Sequence, residues 1–176
     1  MEKKTEERIK ALEIALNNEA FERDFYLKHK ERTTNPLGKL MFGTIASDES
    51  EHYQRILKLH GKLKEEGKWP DTIPLKVKGT EVKSVLQNVI DSVETLPEAD
   101  KDDMEAVKTA VDFEAKGVKF YEKLRDSVDG PLEKKFYGML ASIEREHLLS
   151  LQDTYEYFQD PEGWYRIKEK HHFDGA

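Results

Sequence analysis

Glu49 and His52 stand three residues apart, and so do Glu144 and His147. On a helix that spacing puts the carboxylate and the imidazole on one face. Each pair also lies within an apolar series at helical spacing: Leu37, Met41, Ile45, Ile56, Leu59 and Leu63 flank the first, and Phe136, Leu140, Leu151 and Phe158 flank the second. The four polar groups are therefore aimed at an interior, where a charge must be neutralised by protonation or by a partner of opposite sign. Carboxylate and imidazole together form a donor set for a divalent cation.

One Glu-x-x-His carries little information in a Glu-rich chain, but the second copy changes that. The two copies are separated by 95 residues (49 to 144, 52 to 147), and the same offset places Glu19 on Glu114, Ala20 on Ala115, Phe25 and Tyr26 on Phe120 and Tyr121, and Pro36 and Leu37 on Pro131 and Leu132. Gly43 falls on Gly138, Ala46 and Ser47 on Ala141 and Ser142, and Trp69 on Trp164, without a gap. The pattern reads as an internal 95-residue repeat, each half carrying a Glu followed 30 residues later by a Glu-x-x-His. The candidate metal ligands are Glu19, Glu49, His52, Glu114, Glu144 and His147. Their four carboxylates carry a charge of −4, which balances two divalent cations; a metal-free core would have to protonate them or bury their repulsion.

Composition narrows the remaining possibilities. A chain of 176 residues suits one domain with a core large enough to enclose a polar cluster. Its net charge of −7, with Lys and Glu evenly mixed, argues against nucleic acid as a partner. It contains no Cys, so any metal within these residues must be held by carboxylate and imidazole. The polar start and the lack of a bilayer-length apolar run make a cytoplasmic protein, away from membranes, the expectation.

The elements that must position these groups follow from periodicity and breakers. Long helices are predicted over about residues 5–32, 36–66, 98–128 and 131–159, with Pro36 and Pro131 at first-turn positions. Between the second and third, residues 67–74 are rich in Gly and Pro, and Val82, Val85, Leu86, Val89, Ile90 and Val93 predict a short helix over about 80–93. So long a connection implies a crossover rather than a hairpin. The fold class is an all-α four-helix bundle occupying residues 1–160, with residues 161–176 as a C-terminal extension anchored by Trp164 and Phe173.

Four helices that contribute two Glu and two Glu-x-x-His match the ligand pattern of di-iron and di-manganese carboxylate bundles. Over about residues 5–160 the chain resembles the ferritin-like superfamily, and within it the rubrerythrin diiron domain. The blocks that carry the resemblance are Glu19 to Phe25-Tyr26, Glu114 to Phe120-Tyr121, and the two Ala-Ser-x-Glu-x-Glu-His runs ending at His52 and His147. The resemblance implies a bundle with a left-handed crossover and a site for two iron ions, although manganese and zinc share these ligands. It also implies reduction of hydrogen peroxide or dioxygen.

Rubrerythrins with peroxidase chemistry usually carry a rubredoxin domain with four iron-ligating Cys, which are lacking here. Electrons are therefore expected from a separate donor such as a rubredoxin, and a homodimer is the expected assembly. The family also carries an extra Glu three residues after the first ligand of the third helix, where this chain has Gly117. The repeat mate of Gly117 is Glu22, which becomes the candidate seventh carboxylate. Tyr26 and Tyr121 are candidates to contact the ligands, with ordinary packing as their simpler role. Glu51 and Glu146 are read as surface or outer groups, His29 and His60 as surface, and His171 and His172 as solvent or packing residues. Two rival functions remain: a ferroxidase or iron-storage protein, and a bundle in which metal is only structural.

Overall fold

The computed structural model describes residues 3–71, 79–92 and 96–173, with residues 168–173 described by backbone alone. The described residues form α1 (Lys3–Arg32), α2 (Pro36–Glu66), α3 (Val82–Ser92), α4 (Lys101–Ser127), α5 (Pro131–Gln159) and α6 (Pro161–Phe173), with no strand among them. The protein is an all-α bundle.

Local chemistry sets the helix ends. Asn35 caps α2, its side-chain oxygen accepting from the backbone N–H of Leu37 at 3.0 Å and of Gly38 at 3.2 Å, while Pro36 occupies the first turn. The far end of α2 stops at Gly67, whose φ of 69° suits a glycine and whose N–H bonds the Leu63 carbonyl. The Thr5 hydroxyl donates to the Gly67 carbonyl at 2.9 Å and ties the start of α1 to the end of α2. Helix α4 starts at Lys101, three residues later than the predicted 98, because the Asp100 carboxylate provides the cap, accepting from the Asp103 N–H at 2.7 Å.

Helices α1 and α2 form one antiparallel hairpin and α4 and α5 the other; α3 packs on α2 and α5, and the hairpins meet more lightly along α1/α4 and α2/α5. Two apolar clusters fill the interior. One gathers Tyr26, Leu37, Met41 and Ile45 with Val82, Leu86, Val107, Leu151 and Trp164. The other gathers Ile9, Leu12, Ile56, Leu59 and Leu63 with Tyr121, Phe136 and Leu140. On each of the four long helices a ligand candidate falls between residues of the first cluster and residues of the second. All eight positions predicted to face inward on α2, from Leu37 to Leu63 and including Glu49 and His52, are buried.

Three differences from the sequence reading have local causes. Residues after Asp160 form a helix of their own, because its side chain accepts from the Gly163 N–H at 2.9 Å and restarts the chain within one residue. Trp164 anchors that helix, its Nε1–H donating to Asp153 at 2.8 Å and its ring lying edge-on to Tyr157; the side chains of Phe173, His171 and His172, and Val93, lie outside the described residues. His29 and His60 are half-buried rather than on the surface: the His29 ring packs on Phe25 and Phe42, and His60 Nε2 lies 3.2 Å from Glu13.

Polar clasps supplement the light contact between hairpins. At one end Arg8 of α1 donates to buried Glu133 of α5, and at the other Arg32 donates to buried Asp103 of α4 at 2.6 Å. The Arg8→Ala variant leaves Glu133 buried without a partner and is expected to lose about 3 kcal/mol in urea unfolding. Arg8→Met combined with Glu133→Leu is expected to recover most of that loss. Equal losses for both variants would show that the charge pair is not the cause.

Candidate metal centre

Six side chains meet between the two apolar clusters. Glu19 comes from α1, Glu49 and His52 from α2, Glu114 from α4, and Glu144 and His147 from α5, and none is more than 2% exposed. In α2 and α5 the spacing of three residues stacks carboxylate and imidazole on the inward face. The two imidazole rings lie nearly parallel, with centroids 6.2 Å apart and planes inclined by 22°.

The donors divide into two groups, each with ligand atoms within 4.8 Å of one another: Glu19, Glu49, His52 and Glu144 in one, and Glu49, Glu114, Glu144 and His147 in the other. Glu49 and Glu144 belong to both. Glu49 shows how the sharing works, since its Oε2 lies 3.3 Å from His52 Nδ1 and its Oε1 lies 3.2 Å from His147 Nδ1. Glu19 and Glu114 are each unique to one group; Glu19 Oε2 is 3.1 Å from His52 Nδ1, and Glu114 Oε2 is 3.5 Å from His147 Nδ1.

The residues around the cluster leave one oxygen of each of these end carboxylates free to serve it. The Tyr26 hydroxyl on α1 donates to Glu114 Oε1 on α4, and the Tyr121 hydroxyl on α4 donates to Glu19 Oε1 on α1. The tyrosines therefore hold ligand candidates across the α1/α4 seam rather than only filling space. Burial, together with the carboxylate each faces, raises both phenols well above their usual range, so they remain hydroxyl donors. His147 is fixed from outside by Asp48, whose Oδ2 accepts from Nε2–H at 3.0 Å. Sequence reasoning missed Asp48; its position immediately before the Glu-x-x-His was the available signal, but its partner is 99 residues away.

Gly117 explains one departure from the family pattern. A Cβ there would lie 2.8 Å from Glu144 Oε2, so the Glu144 carboxylate fills the space any side chain at this position would need. Glu22 is half-buried on α1 and lies outside both donor groups. It nevertheless senses the cluster: burial, then Glu49, Glu114 and Glu19, push its carboxyl up to about 10. Glu146 pairs with Lys83 of α3 at 2.9 Å, and Glu51 pairs with Arg55 on its own helix at 3.1 Å, so neither is turned to the cluster.

Without cations the cluster must hold protons. Burial and the Glu49 charge push Glu19 up to about 8, and burial with Glu49 and Glu114 pushes Glu144 well above the carboxylate range. Burial opposes charge on the imidazoles, yet Glu19 and Glu49 raise His52, and Glu114 and Asp48 raise His147. Glu49 is held low despite its burial, mainly by His52 and His147. Among the described residues, four buried ligand atoms of the cluster make no well-aligned hydrogen bond, even where they lie close to one another: Glu49 Oε1, Glu114 Oε2, Glu144 Oε1 and His147 Nδ1. Orphaned oxygen and nitrogen atoms converging on one space, with four carboxylates around it, fit a pair of divalent cations and fit poorly with a purely structural polar core.

Two outcomes are expected. Metal-free protein retains a proton on Glu19 between its ordinary value of 4.5 and about 8, a range in which the unfolded chain has lost it. The stability from this group is present below 4.5 and is lost as pH rises through about 8, and the raised imidazoles act with the same sign above 6.5. The melting temperature of metal-free protein should therefore fall between pH 6 and pH 9, and that of metal-loaded protein should not; a flat metal-free profile would contradict the assignment. Gly117→Ala should weaken metal binding by displacing Glu144, although alanine favours the helix by about 1 kcal/mol. Gly138→Ala, whose Cβ would meet only Arg125 at an ordinary 3.6 Å, should bind metal as the parent does.

Comparison with known proteins agrees with this geometry. Searches of curated proteins and of solved structures gave no match. The rubrerythrin family model matches residues 10–155, which include all six clustered side chains, both tyrosines and Asp48. The chain belongs to the rubrerythrin family.

Proposed function

We propose that the chain is a non-haem diiron oxidoreductase that reduces hydrogen peroxide or dioxygen with electrons from a separate donor protein, such as a rubredoxin. The observation that carries the reading is the pair of donor groups sharing Glu49 and Glu144, each offering three carboxylates and one imidazole that could hold a cation. Two ferrous ions, when bound, supply Lewis acidity and the two electrons that peroxide needs to become water. Zinc would occupy the same donors without redox chemistry, and manganese is the nearest alternative.

The protein's part is to bind, orient and exclude water. Glu49 and Glu144 would serve both ions, Glu19 and Glu114 would each hold one through the oxygen left free by Tyr121 and Tyr26, and His52 and His147 would each hold one through Nδ1. The apolar clusters on both sides keep bulk water from the reduced site. Glu22 is the seventh carboxylate in this reading. It lies outside both donor groups, its carboxyl is raised by burial and by the cluster's carboxylates, and a bound cation nearby would favour its ionised form. Residues 1–160 form the working unit, and no helix among the described residues is long and apolar enough to cross a membrane.

Anaerobic loading with ferrous iron is expected to give about two ions per chain, and added hydrogen peroxide should oxidise the pair much faster than iron in buffer, with an absorbance rise in the near ultraviolet. Two bound ions that peroxide leaves reduced would overturn the proposal in favour of a structural metal. A large hollow assembly by light scattering, with many irons per chain, would overturn it in favour of storage.

A further inference from the structure

The two donor groups are chemically alike, three carboxylates and one imidazole each, and the 95-residue offset exchanges their distinctive members, Glu19 with Glu114 and His52 with His147. Their surroundings are not alike. His147 presents Nδ1 to the cluster while Nε2–H is held by Asp48 at 3.0 Å. Among the described residues the hydrogen-bond partners of His52 are Glu19 and Glu49, and both are reached through Nδ1. The residue 95 positions after Asp48 is Ile143, which has no acceptor to offer. Asp48 is 18% exposed and lines an open cleft of about 620 Å³ with Lys30, Lys39, Thr44 and Ser47, so its carboxylate stays solvated while it holds the ring.

The halves differ at a second position, where Glu22 has Gly117 as its counterpart 95 residues on; members of both donor groups act on Glu22, Glu19 as well as Glu114 and His147, so it does not distinguish them.

A carboxylate behind a metal-binding imidazole fixes the tautomer and the ring orientation, and makes the ligating nitrogen more basic; its loss typically weakens metal binding 10- to 100-fold. We propose that the two cation positions are unequal, and that the one bounded by Glu49, Glu114, Glu144 and His147 fills first and more tightly because Asp48 positions His147. The inference rests on the metal-binding part of the proposed function and not on any redox activity. It implies a range of cation concentration in which the protein holds one metal, and it makes a mixed-metal pair accessible by sequential loading.

The test uses the full chain, freed of metal and titrated at fixed pH with zinc, which is redox-inert, against a competing chromophoric chelator. The expected result is two steps whose dissociation constants differ by about 10- to 100-fold. Glu114→Gln should remove the tight step and Glu19→Gln the weak one. Asp48→Asn should weaken the tight step by about the same 10- to 100-fold while leaving the other nearly unchanged. Two equal steps in the parent, loss of the tight step in Glu19→Gln, or an equal weakening of both steps in Asp48→Asn would each overturn the inference while leaving a dinuclear site intact. No zinc binding in the parent would overturn the metal centre itself. Should Asp48→Asn fail to fold by circular dichroism, the Glu19→Gln and Glu114→Gln pair still decides the order of filling.

Discussion

Four carboxylates and two imidazoles are enclosed together in the middle of an apolar interior, and the rest of the molecule is arranged around that constraint. Removing an ion from water without compensation costs several kcal/mol even after relaxation. Here the groups compensate one another only in part, since burial and mutual repulsion drive Glu19 and Glu144 up while the imidazoles drive Glu49 down. Two divalent cations would resolve the conflict by matching the carboxylate charge and by giving the orphaned oxygen and nitrogen atoms a partner. The apolar clusters on either side make the layer dry, which is what gives its electrostatics their strength.

That layer also explains how the hairpins associate. Direct packing between them is light, and much of what joins them is polar: Tyr26 to Glu114, Tyr121 to Glu19, Asp48 to His147, and the arginine clasps at the ends. Every one of these contacts crosses from one half of the chain to the other. Metal binding and hairpin docking are therefore expected to be one event energetically, since ligands from both halves enter each donor group. Helix α3 buries Val82, Val85, Leu86, Val89 and Ile90 against α2 and α5, whereas α1 carries the half-buried Glu22 and the exposed Phe21.

The parts of this arrangement that are legible in the sequence are those governed by periodicity. The α2 stripe passes from Leu37 through Glu49 and His52 to Leu63 without a missed position, because apolar spacing and ligand spacing obey the same helical period. Helix breaks at Pro36 and Pro131 are equally plain. Contacts between distant residues cannot be read in this way. The equality of Glu49 and Glu144 as shared donors, the crosswise tyrosine bonds and the hold of Asp48 on His147 depend on how the hairpins face each other, which spacing along one helix does not encode. In the sequence Gly117 is visible only as a missing Glu; that its lost side chain makes room for Glu144 depends on coordinates. Helix α6 escapes a reading of breakers because Asp160-Pro161 has the form of a stop, although the same aspartate also caps the next helix.

The central claim is that the six buried donors enclose two metal ions, with Glu49 and Glu144 spanning both. Anomalous scattering from crystals of iron-loaded protein, recorded on both sides of the iron absorption edge, tests it most directly. The account predicts two peaks inside the bundle, one against Glu19 and His52 and the other against Glu114 and His147, each in contact with Glu49 and Glu144. An ordered cluster with no anomalous peak, or metal found only at surface histidines, would contradict it.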